Sequence, residues 1–194
     1  AAISSGRSSL KPSASAQHIP EMAVCVLFFE TAKSIITKNA AILEGSKAFS
    51  KDLMKKYNIP TAKYEVFDNA KDALKYLESA PIPTVIKADG LALGKGVIIA
   101  ETREDAKNAV RSMMEDKIFG ESGNNIVIEE FLTGPEVSVL SFTDGETVVP
   151  MVSSMDHKRA LDGDMGLNTG GMGTVAPNPY YTKEIAEICM ETIF

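Results

Sequence analysis

Lys87, Gly90, Gly94, Lys95 and Gly96 are the residues whose types and spacing carry the clearest chemistry. They lie in Pro83-Thr-Val-Ile-Lys87-Ala-Asp-Gly90-Leu-Ala-Leu-Gly94-Lys95-Gly96-Val-Ile-Ile-Ala100. Glycine lets backbone N–H groups approach a ligand closely, and lysine supplies positive charge, so the matching ligand is a polyphosphate. The loop does not fit the Walker A pattern, because three residues separate Gly90 from Gly94 and Gly96 stands where Ser or Thr belongs. Nor does it fit G-x-G-x-x-G, since Ile99 takes the place of the third glycine. β-Branched apolar runs on both sides make it a connection between two strands, not the entry to a helix. Lys87 interrupts an apolar strand. Turned inward it is a buried cation that needs an anion; turned outward it is an edge charge that discourages aggregation. The glycine loop three residues later favours a role on a nucleotide phosphate. Lys95, between two glycines, is either a solvated loop lysine or a mobile clamp over a triphosphate.

Two further groups can do polar work. Glu129-Glu130-Phe131-Leu132 closes an apolar strand, so one glutamate faces solvent and the other a pocket. Strand-end backbone groups there can pair with an adenine edge. Glu136, just past Gly134-Pro135, can accept from ribose hydroxyls or stand as an ordinary surface residue. Asp156-His157-Lys158-Arg159 precedes Asn168-Thr169-Gly170-Gly171-Met172-Gly173, which crowds acid, base and amide groups around a loop suited to anions and polar substrates. His157 has no Cys/His cluster nearby, so a zinc site is not expected. No nucleophile elbow supports a serine or cysteine triad.

The elements that must hold these groups follow from capping and periodicity. Ser46 caps a helix from Lys47 to about Tyr57, with Phe49, Leu53 and Met54 on one face, and Asn58-Ile-Pro60 stops it. Tyr64–Phe67 reads as a strand. Asn69 caps a helix through Leu77, with Ala73, Leu74 and Leu77 inward. A hairpin pairs 84–88 with 97–100. Thr102 caps a helix carrying Ala106, Ala109, Val110 and Met113 at helical spacing. Residues 125–131 form a strand, and Asp144-Gly145 turns a hairpin between 136–142 and 146–151. The segment 153–179 lacks periodicity and reads as a long loop, functional or disordered. A helix starts at Thr182. Antiparallel hairpins argue against a doubly wound sheet and for an α+β layer, with helices covering one face of an antiparallel sheet.

The chain of 194 residues has a formal net charge of −6, which argues against a nucleic-acid partner. The longest apolar run, 22–29, is far short of a membrane span and suits a buried strand or a short helix. Two cysteines, Cys25 and Cys189, are too few for a disulfide framework, which suits a cytoplasmic setting. Residues 1–17 are Ser/Ala-rich without acids, the composition of a transit peptide, a disordered tail, a cloning scar or a misread gene start.

Taken together, the motifs Glu44-Gly-Ser-Lys47-Ala-Phe49, Val85-Ile-Lys87-Ala-Asp-Gly90 through Gly96-Val97, Ile128-Glu-Glu-Phe-Leu132, Asp156-His-Lys-Arg159 and Asn168-Thr-Gly-Gly-Met-Gly173 resemble the ATP-grasp ligases. Within them they resemble the phosphoribosylamine–glycine ligase family, from about Thr37 onward. The resemblance implies an ATP-grasp fold and an ATP- and magnesium-dependent joining of glycine to 5-phosphoribosylamine in purine synthesis, by an enzyme that is monomeric at full length. It implies phosphate contacts for Lys47 and Lys87 and a flap at Gly94, Lys95 and Gly96. It implies adenine contacts along Glu129, Glu130, Phe131 and Leu132, with Glu129 taking the amino group, and a ribose contact for Glu136. Asp156, Lys158, Asn168, Thr169, Gly170 and Gly171 would line the substrate side. Residues 1–36 fall outside the resemblance, 37–80 begin the ATP-grasp domain, 81–152 form its lid with the phosphate loop, and 153–194 begin its last part. The family's magnesium-holding Glu and Asn, in a motif like Glu-Phe-Asn-x-Arg-Phe-Gly-Asp-Pro-Glu, do not occur in this sequence. The expectation is therefore a central piece, incomplete at both ends, that binds ATP at best. The alternatives are another ATP-grasp carboxylate–amine ligase or a nucleotide-binding module without turnover.

Overall fold

The computed structural model describes residues 24–30, 42, 43, 45–92, 96–163, 165–169 and 171–194, the strand at 24–30 by its backbone. Two compact units emerge, one of residues 35–131 and one that joins 132–194 to the N-terminal stretch.

In the first unit, α1 (Lys47–Tyr57) is followed by β2 (Tyr64–Phe67), α2 (Ala70–Leu77), the hairpin β3 (Thr84–Ala88) and β4 (Val97–Ala100), α3 (Arg103–Val110) and β5 (Ile126–Glu130). The helices start where the sequence puts caps: Ser46, Asn69 and Thr102 each accept a backbone N–H three residues on. Asn58 ends α1 in the left-handed region at φ 57, two residues before Pro60. Past Val110, α3 widens into a π-helical turn over Arg111–Glu115. The strands form one antiparallel sheet in the order β2-β5-β3-β4.

Alternation along these strands separates two faces. Ile86, Ala88, Ala100, Ile126 and Ile128 face Ala73 and Leu77 of α2 and Ala106, Ala109 and Val110 of α3, joined by Met113. That packing is the core, and the expected inward residues of both helices lie in it or against it. The other face carries Val85 and Lys87 from β3 opposite Glu129 and Val127 from β5. Helices do not cover one face only: α1 comes to this second face, where Lys51 meets Glu129. β5 is buried on both faces, which explains its unbroken apolar run.

The second unit holds β1 (Val24–Glu30), which pairs in parallel with β6 (Val137–Thr143), and β7 (Val148–Pro150), antiparallel to β6. Residues 24–29 of the apolar run are thus strand, not helix. Gly145, at φ +95, and Asp144, whose Oδ1 accepts from the N–H groups of Glu146 and Thr147, make the expected turn. The segment read as a long loop is built instead of two small antiparallel ladders. β8 (Met155–Asp156) pairs with β11 (Thr174–Val175), and β9 (Arg159–Leu161) with β10 (Met165–Asn168). Strands of two to four residues are too short to show a period in sequence, so turn-rich composition masked them. α4 (Lys183–Thr192) follows, capped by Thr182.

Candidate functional site

Each unit carries its own charged cluster. In residues 35–131 the centre is Glu129, whose side chain is 5% exposed. Its Oε2 takes both Lys87 Nζ, at 2.9 Å, and Lys51 Nζ, at 3.2 Å. Its Oε1 is buried and has no hydrogen-bond partner. An unmatched buried carboxylate oxygen is costly unless a ligand donor reaches it. The alternation expected for Glu129-Glu130 holds: Glu130 lies on the opposite side, where Oε1 accepts from Lys63 N–H at 2.8 Å. β3 is an inner strand of the sheet, so Lys87 is no edge charge but a half-buried cation with an anion partner.

Lys47, at the first turn of α1, donates from Nζ to the carbonyls of Ala88 (2.8 Å) and Gly90 (2.9 Å). It grips the start of the glycine loop. Asp89 answers from the loop: its carboxylate accepts from Ser46 Oγ at 3.0 Å and from Ala48 N–H at 2.8 Å, at the positive end of the helix. Burial pushes the pKa of Lys47 down, against a raising effect from Asp89. Burial does the same to Lys51, against Glu129. The cluster therefore holds cations that a buried site tolerates poorly without anions.

Gly96 is buried, and a Cβ there would sit 2.6 Å from Ala92 Cβ. Close packing, not loop freedom, is what requires glycine at this position. Gly94 and Lys95 lie outside the described residues. Phe131, the last residue of the first unit, and Leu132, where the chain passes into the second, are both more than a third exposed.

In residues 132–194 four of the predicted substrate-side residues, Asp156, Lys158, Thr169 and Gly171, come together. Lys158 Nζ pairs with Glu136 Oε1 and lies 3.5 Å from Asp156 Oδ2. Burial works to lower the pKa of Lys158, but Glu136 and Asp156 outweigh it and hold that pKa above the ordinary lysine range. Thr169 donates both N–H (2.7 Å) and Oγ1 (2.9 Å) to the Lys158 carbonyl. Gly171, at φ +126, lies so close to Asp156 that a Cβ would be 3.0 Å from Oδ1. An open cavity of about 400 Å³ is lined by Ser138, Leu140, Ser154, Asp156, Gly171, Gly173 and Thr174. Asn168 is placed by its backbone in β10, with its side chain outside the described residues, as is Gly170. His157 is exposed. Glu136, expected on a ribose, pairs with Lys158 within this cluster.

Two participants were missed in sequence. Lys51 had a signal: Lys47 and Lys51 stand at i and i+4 of one helix, a like-charge pair on one face that calls for an anion. Asn178 had none. It is buried, and its Nδ2 donates to the Glu136 carbonyl at 2.9 Å and the Ser154 carbonyl at 3.2 Å, tying 136 to 154. Among the described residues no group of three or more His, Cys, Asp or Glu side chains could hold a metal ion. Nor is any helix among them long and apolar enough to cross a membrane.

The sequence profile described as Phosphoribosylglycinamide synthetase, ATP-grasp (A) domain matches residues 45–194. The chain is 54% identical over 156 residues to the phosphoribosylamine–glycine ligase of Fusobacterium nucleatum, covering 80% of this chain and 37% of that protein. It is 54% identical over 157 residues to the phosphoribosylamine–glycine ligase of Escherichia coli, covering 81% and 37%. The crystal structure of phosphoribosylamine–glycine ligase from Thermotoga maritima aligns with a TM-score of 0.71 at 38% identity, over 80% of this chain and 40% of that one. The chain thus spans well under half the length of these relatives. Its fold is the ATP-grasp fold that the motifs implied, and the chain belongs to the phosphoribosylglycinamide synthetase ATP-grasp (A) domain family.

Proposed function

We propose that this chain provides the nucleotide-binding part of a phosphoribosylamine–glycine ligase of purine synthesis, acting in the cytoplasm. The observation that carries the reading is the buried Glu129, with Oε1 unpartnered and two lysines on Oε2. A base amino group would satisfy the free oxygen. Lys87 and Lys47 would turn to phosphates, where cations offset charge as the terminal phosphoryl group leaves. Val97 and Ile99, 45% and 42% exposed, pair across the sheet from Lys87 and Val85 and offer the same face an apolar wall for a base.

The cluster in residues 132–194 has the opposite balance, two carboxylates around one lysine. Its surplus negative charge suits an ammonium group such as that of glycine, and Glu136 suits sugar hydroxyls. In the proposed reaction a glycine carboxylate oxygen attacks the γ-phosphorus of ATP and the bond to ADP breaks. The phosphoribosylamine nitrogen then attacks the glycyl carbon, phosphate leaves, and the amine's proton is lost to solvent. No enzyme nucleophile is required. Magnesium would neutralise phosphate charge when bound, but no group of three or more acidic, His or Cys side chains among the described residues could hold it.

Calorimetric titration with ATP, with and without magnesium, tests the reading. Lys87→Ala is expected to weaken binding by ~1–3 kcal/mol, the range for a lost charge-assisted bond. Equal affinity in a folded variant refutes the assignment of Lys87. Absence of binding by the folded parent chain refutes the nucleotide reading.

A further inference from the structure

Lys51 and Lys87 share one oxygen of Glu129, yet their surroundings differ. Lys51 is 11% exposed and also donates to Thr61 Oγ1 at 2.7 Å, with its ammonium 5.6 Å from the centre of the Tyr64 ring. Lys87 is 27% exposed. The more buried lysine is therefore fixed from three sides, while the more open one has room to turn toward an anion. Lys51 itself is too enclosed to present its charge to a phosphate. If Lys87 swings away, Lys51 remains as the counter-ion of Glu129, and the carboxylate keeps its orientation.

Resting on the nucleotide reading above, we infer that Lys51 is a positioning residue for base selection. By pinning Oε2 of Glu129 it presents Oε1 to an N–H donor on the ligand, so the site selects a purine with an exocyclic amino group at C6 over one with a carbonyl there. An acceptor facing Oε1 would leave two buried oxygens opposed with no proton between them. A carboxylate held by one mobile lysine alone could turn about its last torsion, and its free oxygen would no longer mark one place.

The test compares ATP with inosine triphosphate, which differs in carrying a C6 carbonyl, by calorimetry on the full chain. The parent chain is expected to prefer ATP by about ten- to a hundredfold, the range for a lost bond to a charged group. Lys51→Met is expected to bring the preference below about threefold, while retaining a folded melting transition. A fold defect alone would weaken both nucleotides together and leave their ratio intact. Thr61→Val, at an exposed position, removes the second anchor of Lys51 without threatening the fold, and is expected to lower the ratio part of the way. A ratio unchanged in whichever variants fold overturns the role of Lys51. Equal binding of both nucleotides by the parent chain overturns base selection but leaves the nucleotide reading standing. Binding of neither overturns both.

Discussion

The two charged clusters are near mirror images. In residues 35–131 one carboxylate sits between two lysines; in residues 132–194 one lysine sits between two carboxylates. Burial separates them. Glu129 is 5% exposed, whereas Glu136 and Lys158 are 37% and 39% exposed. The same ionic chemistry thus carries very different energetic weight. Water screens the second cluster and leaves it adaptable. The first is committed: its members are stable only while each keeps its partner.

The sharpest test removes the central acid from each. Glu129→Ala strands the largely buried Lys51 beside the half-buried Lys87 with no anion between them, and is expected to cost ~3 kcal/mol in urea unfolding, the low end for a broken buried pair because Lys87 keeps some contact with solvent. Glu136→Ala leaves Lys158 in contact with both solvent and Asp156, and is expected to cost no more than ~1 kcal/mol. Equal costs would erase the distinction.

Packing draws the same line. Leu77 is fully buried among Ala73, Ile86 and Met113, and Leu77→Ala should lose ~2–5 kcal/mol as a cavity opens. Leu161, on β9, is 64% exposed, and Leu161→Ala should stay within ~0.5 kcal/mol. Thermal and urea melts of the two variants check both numbers. The helix entrance at Ser46 comes next. Its Oγ both accepts from Phe49 N–H and donates to Asp89, so Ser46→Ala is expected to cost ~1–2 kcal/mol, at the upper end for a cap.

The same contrast governs what could be read from the chain. Residues 35–131 were legible because burial imposes period. Caps at Ser46, Asn69 and Thr102 and the inward stripe of α3 are local signals that tertiary packing then uses. What stayed hidden there was pairing across long separations. Lys51 reaches Glu129 from a different element, 78 positions along the chain, and no local rule joins them. In residues 132–194 the motifs marked the right residues while the structure around them went unseen. The ladders β8–β11 and β9–β10 are held by a handful of backbone bonds, such as His157 N–H to the Gly173 carbonyl and Met172 N–H to the His157 carbonyl. Those bonds depend on no side-chain pattern, so composition alone read the segment as a loop.

The smallest expected effect is also the one that separates the clusters by sign. Burial lowers the pKa of Lys51 and Lys47, so between their folded values and the ordinary lysine range near ~10.4 the unfolded chain binds more protons. Stability should rise with pH across that window, because charged lysine is costly to bury and the cost fades as the proton leaves. Lys158 is shifted the other way by Glu136 and Asp156. Its contribution is fully present below the unfolded value and is lost as pH climbs through the raised folded value. Urea melts of the parent chain at closely spaced alkaline pH values would mix the two slopes, and substitution resolves them. Lys51→Met should shrink the rising part to the share that Lys47 contributes, and Lys158→Met should remove the falling part. If both variants alter the profile in the same direction, the two lysines share one kind of environment, and the contrast between a buried cluster and a screened one does not hold.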